Sequence, residues 1–128
     1  MTRKRPRPTE PRAHRLGALG ESLAAAHLAA SGYRVVAQNL RTRFGEIDVL
    51  VRRRRLYVAV EVKTRSGHPA PEHLVDDDRV ARLAHALRQL APSLRPPPRD
   101  LRVDVIAIRA PRSGGSDLRH FEGAPFAP

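Results

Sequence analysis

The sequence predicts an α/β fold, two helices and four to five strands in the order α-β-β-β-α-β-β around one central sheet. Three observations predict it. Two stretches, residues 12–30 and 76–91, repeat apolar residues at helical spacing. Val-, Ile- and Leu-rich runs of strand length lie between and after them. At 128 residues and 14.2 kDa the chain has room for one domain with a modest core.

Residues 1–12 are rich in Pro and Arg and predict a disordered basic arm, ahead of a single domain over 13–124 and a tail at 125–128. A helix is expected from about Arg12 to Ala30, where Leu16, Leu19, Leu23, Ala26 and Ala30 form one apolar stripe. Glu21 falls about 140° around from Leu16, on the flank shared with Gly17 and Leu28. Ser31-Gly32 ends this helix. Tyr33 to Leu40 reads as a strand, followed by a basic connection from Arg41 through Arg43 to Gly45.

The next stretch, Gly45 to Lys63, reads as a hairpin with an arginine-rich turn. Ile47, Val49 and Val51 alternate with Glu46, Asp48 and Leu50; Leu56, Val58, Val60 and Val62 alternate with Tyr57, Ala59, Glu61 and Lys63. Strand alternation places Glu61 and Lys63 on one face, opposite those four aliphatics. With Arg54-Arg55 as a two-residue turn, Asp48 faces Glu61. Two carboxylates about 5 Å apart repel by roughly 3 kcal/mol at an effective dielectric of ~20. A cation there relieves the repulsion, and carboxylate oxygens suit Mg²⁺ or Mn²⁺. Lys63 adds a positive charge beside it, suited to an anionic substrate or transition state.

Gly67, Pro69 and Pro71 make the following segment a loop. Asp76, Asp77 and Asp78 supply an N-cap and favourable first-turn charges for a second helix. Val80, Leu83, Ala84, Leu87, Leu90 and Ala91 form its apolar face, and Pro92 closes it. Pro96-Pro97-Pro98 is a stiff linker inside the domain, Leu101 to Arg109 a further strand, and Asp117 to Phe121 a short edge strand.

The net charge of +11 and pI near 11.6 predict a polyanionic partner and salt-dependent binding. Nucleic acid is expected, DNA before RNA, and a membrane is not: no apolar run reaches a spanning length, and no basic helix carries bulky aromatics. The absence of cysteine excludes disulfides and thiolate metal sites and points to a cytoplasmic protein. Of 24 basic residues only Lys4 and Lys63 are lysines, so an ammonium in the folded region stands out against arginine.

Asp48, then twelve residues, then Glu61-Val62-Lys63, after a helix carrying Glu21, resembles the PD-(D/E)xK nuclease superfamily. More closely, the chain resembles the YraN-like family of small bacterial proteins, itself similar to archaeal Holliday junction resolvases. The matching pieces are Gly20-Glu21, Gly32-Tyr33, Asn39 with Arg41, Gly45-Glu46-Ile47-Asp48, Val60 to Arg65, Val103-Asp104-Val105 and the terminal Gly-Ala before Phe126. The resemblance implies a restriction-endonuclease-like core with a mixed sheet. It implies a metal site of Asp48, Glu61 and the Val62 backbone carbonyl, with Glu21 as an accessory ligand and Lys63 orienting the attacking water. The implied chemistry is Mg²⁺- or Mn²⁺-assisted phosphodiester hydrolysis, with branched DNA as the substrate the resemblance suggests, and a homodimer suits it, since two cuts need two sites. The second helix departs from the family pattern: Asp76-Asp77-Asp78-Arg79 stands where relatives carry a basic segment with a lysine.

Arg41, Arg43 and Arg65 are the expected nucleic-acid contacts, with Arg52 to Arg55 read as a solvated turn. Glu46 and Asp104 are read as structural, the latter pairing with a neighbouring arginine. His68 and His73 match no standard zinc spacing. Two alternatives compete with the nuclease reading: a surface ion-pair cluster in which Lys63 neutralises Glu61, and a non-catalytic nucleic-acid-binding or adaptor domain that keeps the fold.

Overall fold

Alternation of β-branched residues and one two-residue turn build the centre of the molecule, which we describe from a computed structural model. It describes residues 12–65, 76–109 and 117–123, with side chains other than those of residues 12–17 and 65. Helix α1 spans Arg12–Ala30, strands β1 Arg34–Thr42, β2 Gly45–Arg53 and β3 Leu56–Arg65, helix α2 Asp77–Leu90, β4 Asp100–Arg109 and β5 Asp117–Phe121. The five strands lie in chain order, β1-β2-β3-β4-β5, antiparallel except for the parallel pair β3–β4 that α2 connects. The α/β class, the element order and the short last strand are all as the sequence predicts. The expected arm before residue 12, the loop with His68 and His73, the 110–116 connection and the tail lie outside the described residues.

Each face of the sheet buries its own apolar set. Tyr57, Ala59, Val103, Val105 and Leu50 pack under α2, against Val80, Leu83, Ala84, Ala86 and Leu87. Val49, Val51, Val58, Val60, Ile106 and Ile108 pack under α1, against Ala24 and Leu28. Asp76 caps α2, its Oδ1 accepting from the amides of Asp78 and Arg79, which satisfies two of the helix's free N–H groups. The proline linker is tied to the hairpin: Tyr57 donates to the Pro96 carbonyl at 2.7 Å and Arg55 Nε to that of Pro97 at 2.6 Å.

Two expectations are corrected. The buried line of α1 is not the leucine stripe: Ala24 and Leu28 are fully buried, while Leu19 is 54% exposed and Ala26 and Ala30 face solvent. Small residues win because the helix lies close to the sheet; a Cβ on Gly20 would fall 2.1 Å from Thr64 Oγ1. Glu21 therefore sits beside the contact line, on Leu28's flank, rather than away from the core. The second correction concerns β2, where Ile47 packs under α2 although Val49 and Val51 pack under α1. Period 2 breaks at Asp48. Its partner across the β1–β2 register is Asn39, which takes a left-handed φ of 52°, a conformation asparagine tolerates. β3 also continues two residues past Lys63, into Thr64 and Arg65, where the sequence suggests a loop.

Candidate active site

The β2–β3 hairpin turns at Arg54-Arg55, with Arg53 opposite Leu56, and its ladder runs to Val49 opposite Val60. One more step in that register brings Asp48 across from Glu61. The strands part there: the Val62 amide donates to Asp48 Oδ2 at 2.8 Å instead of to a carbonyl of β2. N–H and C=O of one strand residue point to the same side, so the Val62 carbonyl faces the same gap. Glu61 is buried, with 6% exposure. Burial, above all, pushes the Asp48 carboxyl up to about 7 from 3.8; the Val62 amide opposes this, while the Glu61 charge and hydrogen bond and the more distant Glu21 add to it. The Asp48 carboxyl therefore holds its proton far above the usual carboxylate range.

Glu21 reaches this gap from α1, across the sheet from α2. Asn39 fixes it: with the amide nitrogen toward the carboxylates, where its oxygen would meet only acceptors, it donates to Glu21 Oε1 at 3.0 Å and to Glu46 Oε1 at 3.1 Å. Four acids, Glu21, Glu46, Asp48 and Glu61, are thus drawn to one end of the hairpin. Among the described residues no three acidic or histidine side chains already converge on a single ion position. The donor chemistry of Asp48, Glu61 and the Val62 carbonyl suits a hard cation.

Arg79 is the residue that sequence reasoning missed. Its Nε donates to Glu61 Oε2 at 2.5 Å, and its Nη2 to the Glu46 carbonyl at 3.2 Å. The Glu61 hydrogen bond, first among several acidic influences, raises the Arg79 pKa above its ordinary value. The guanidinium also passes 3.6 Å from where a Cβ on Gly45 would stand, and Gly45 has a φ of 124°, open to glycine. The signal was present in sequence: the α2 start replaces a basic segment, and Arg79 is the one basic residue left in it.

Lys63 shares the Glu61 face by alternation, is half-buried, and has no ion pair among the described residues. The ion-pair cluster in which Lys63 neutralises Glu61 is therefore not what forms; Arg79 takes that place. Arg41 lies next to the site, opposite Glu46 in the β1–β2 ladder and 4.0 Å from its carboxylate, with a side chain 92% exposed. Arg43 is exposed and stands 5.9 Å over the Phe44 ring. The Arg65 side chain lies outside the described set. Asp104 is structural, as expected: fully buried, it accepts from Arg102 Nε at 2.8 Å, His120 Nε2 at 2.8 Å and the Gly123 amide at 2.9 Å.

Fold and site define a small mixed-sheet α/β protein with an acidic cluster at the open end of its central hairpin. The chain belongs to the UPF0102 family: the model of the uncharacterised protein family UPF0102 matches residues 20–108, bearing out the YraN-like resemblance. It is 39% identical over 110 residues to a UPF0102 protein of Nocardioides sp., covering 84% of this chain and 89% of that one. A UPF0102 protein of Parafrankia sp. is 41% identical over 114 residues, 86% of this chain and 95% of its own. One from Chlorobaculum tepidum is 40% identical over 111 residues, 84% of each. No helix among the described residues is long and apolar enough to cross a membrane.

Proposed function

We propose that this protein is a Mg²⁺- or Mn²⁺-dependent nuclease of the PD-(D/E)xK kind, hydrolysing phosphodiesters in nucleic acid, DNA before RNA. The observation that carries it is the Asp48–Glu61 pair facing each other where the hairpin strands part, with the Asp48 carboxyl held up to about 7 by its burial first and by the Glu61 charge in addition. A fold that retains this pair spends stability on it, as expected where a cation is to be bound. Asp48, Glu61 and the Val62 carbonyl are the ligands, Glu21 an accessory. A divalent ion held there supplies charge neutralisation at the scissile phosphate and polarises the attacking water. Lys63, free of a carboxylate partner among the described residues, orients that water and stabilises the developing negative charge. Arg41 and Arg43 hold the flanking backbone as exposed cations.

A second reading, a non-catalytic nucleic-acid-binding domain, is favoured by one feature: Arg79 already neutralises Glu61 and competes with a cation for it. One experiment separates the two. Wild type and Glu61→Ala are incubated with junction, flap and duplex DNA in Mn²⁺, and Mn²⁺ binding is followed by calorimetry. The nuclease reading expects cleavage and Mn²⁺ binding in the wild type and loss of both in Glu61→Ala. Activity unchanged by the substitution sinks the site assignment, and salt-sensitive DNA binding indifferent to metal and to Asp48→Asn supports the binding domain.

A further inference from the structure

The far end of the same hairpin carries a second concentration of charge, of the opposite sign. Arg53, Arg54, Arg55 and Arg99, with Leu56 and Asp100, line a cavity of about 620 Å³ between the β2–β3 turn and the segment entering β4. The turn is held to that segment through its backbone, the Arg99 amide donating to the Arg55 carbonyl at 2.8 Å. Two of the arginines are fixed by neighbours that leave their charge uncompensated. Arg53 stacks 4.4 Å over the Tyr33 ring, and Arg55 Nε is held by the Pro97 carbonyl. Arg54 and Arg99 are exposed. None of the four forms an ion pair among the described residues. The one acid, Asp100, turns its Oδ1 to the Leu101 amide at 2.9 Å.

Like charges gathered on a turn repel, and elsewhere in this chain the arginines that fold inward meet carboxylates: Arg79 on Glu61, Arg102 on Asp104. Here a cavity wide enough for a phosphate group is lined by guanidinium forks with no carboxylate on them, the donor geometry that recognises phosphate oxygens. Six steps along β2 and into its turn separate Asp48 from Arg54, roughly 20 Å at ~3.3 Å per residue. We infer that this cavity is a phosphate-binding site for the backbone of nucleic acid, remote from the acidic cluster and contributing affinity rather than chemistry. It rests on the nucleic-acid part of the proposed function and not on the metal site. Because cavity and acidic cluster sit at opposite ends of the strands, the phosphates they hold belong to separate stretches of the ligand.

The test uses the full chain in EDTA, so that the outcome is independent of Asp48 and Glu61. Binding of fluorescein-labelled four-way junction and duplex DNA is followed by anisotropy across a salt series. Arg54→Glu with Arg99→Glu is compared with Arg82→Glu with Arg119→Glu, an equal charge change at exposed positions on α2 and β5. Loss of two phosphate contacts lowers the slope of log K against log salt by about 1.8, at about 0.9 per contact, and weakens binding by tenfold or more. The α2/β5 pair keeps the wild-type slope. Equal losses in both pairs overturn the inference, since net charge alone then accounts for binding. So does unchanged DNA binding in the Arg54/Arg99 pair together with lost binding to phosphatidylserine vesicles. Should Glu61→Ala leave cleavage intact while the Arg54/Arg99 pair loses binding, the metal-site reading fails and this one stands.

Discussion

Asp48 receives one backbone N–H, from Val62, and faces Glu61 and Glu21, with the Arg79 guanidinium also within its field. Its folded carboxyl titrates near 7, against 3.8 ordinarily. In acid below both values, folded and unfolded chains hold the proton alike. Between them the folded chain keeps a proton that the unfolded chain has released, so stability falls as pH rises through this window and levels off above it. A cation needs the ionised carboxylate and must displace that proton. The rise in melting temperature on adding Mn²⁺ is therefore expected to be small at about pH 6 and larger at about pH 8. Asp48→Asn should abolish the Mn²⁺ effect at both. A shift independent of pH, or one that survives Asp48→Asn, would place the ion elsewhere. Lys63 and Arg79 divide the local positive charge: Arg79 is committed to Glu61, and the Lys63 ammonium has no carboxylate partner among the described residues.

The hairpin and α1 approach most tightly at Gly20 against Thr64 among the described glycines, and that contact sets where Glu21 stands. Gly20→Ala puts a methyl into Thr64 Oγ1 and should cost about 1–3 kcal/mol by overpacking. Urea unfolding checks the cost. Thr64→Ala in the Gly20→Ala background should recover part of it, and a double-mutant cycle with no coupling would refute the contact. The hairpin itself was legible in sequence, because period 2 and a two-residue turn fix which residues face each other; Asp48 opposite Glu61 follows from counting. The buried side of α1 was not. Alanine and glycine mark close approach as readily as exposure, and leucines drew the stripe to the wrong side. Period 2 also could not foresee Ile47 changing faces, since that depends on Asn39 in the neighbouring strand. Arg79 was hidden by its surroundings: three preceding aspartates read as a solvated cap, yet a side chain one turn into the helix reaches the sheet.

Across the whole molecule a buried acid, Asp104, and a half-buried one, Asp48, are handled in opposite ways. Asp104, under α1, is fully satisfied: Arg102 holds both its oxygens, His120 and the Gly123 amide donate to it, and Arg102 in turn donates to the Tyr33 hydroxyl at 2.7 Å. His27 and His120 meet through ring nitrogens 3.1 Å apart, so the network joins α1, β4, β5 and the start of β1. Burial, first, and the neighbouring His120 lower the His27 pKa, which keeps this end of the network neutral near physiological pH. Asp48, at the opened hairpin, has one amide and a second carboxyl for company. Removing each acid should move stability in opposite directions. Asp104→Ala strands the Arg102 guanidinium and two N–H donors and should cost about 3–5 kcal/mol, a large share of the ~5–15 kcal/mol that holds a domain folded. Asp48→Asn keeps an acceptor for the Val62 amide and removes the repulsion with Glu61, so at about pH 8 it should stabilise by about 1–3 kcal/mol. Urea midpoints of the two variants in EDTA decide the matter. Destabilisation by Asp48→Asn comparable to that of Asp104→Ala would make the acidic pair a structural element like the Asp104 network, and would remove the physical ground for reading it as a site that waits for a cation.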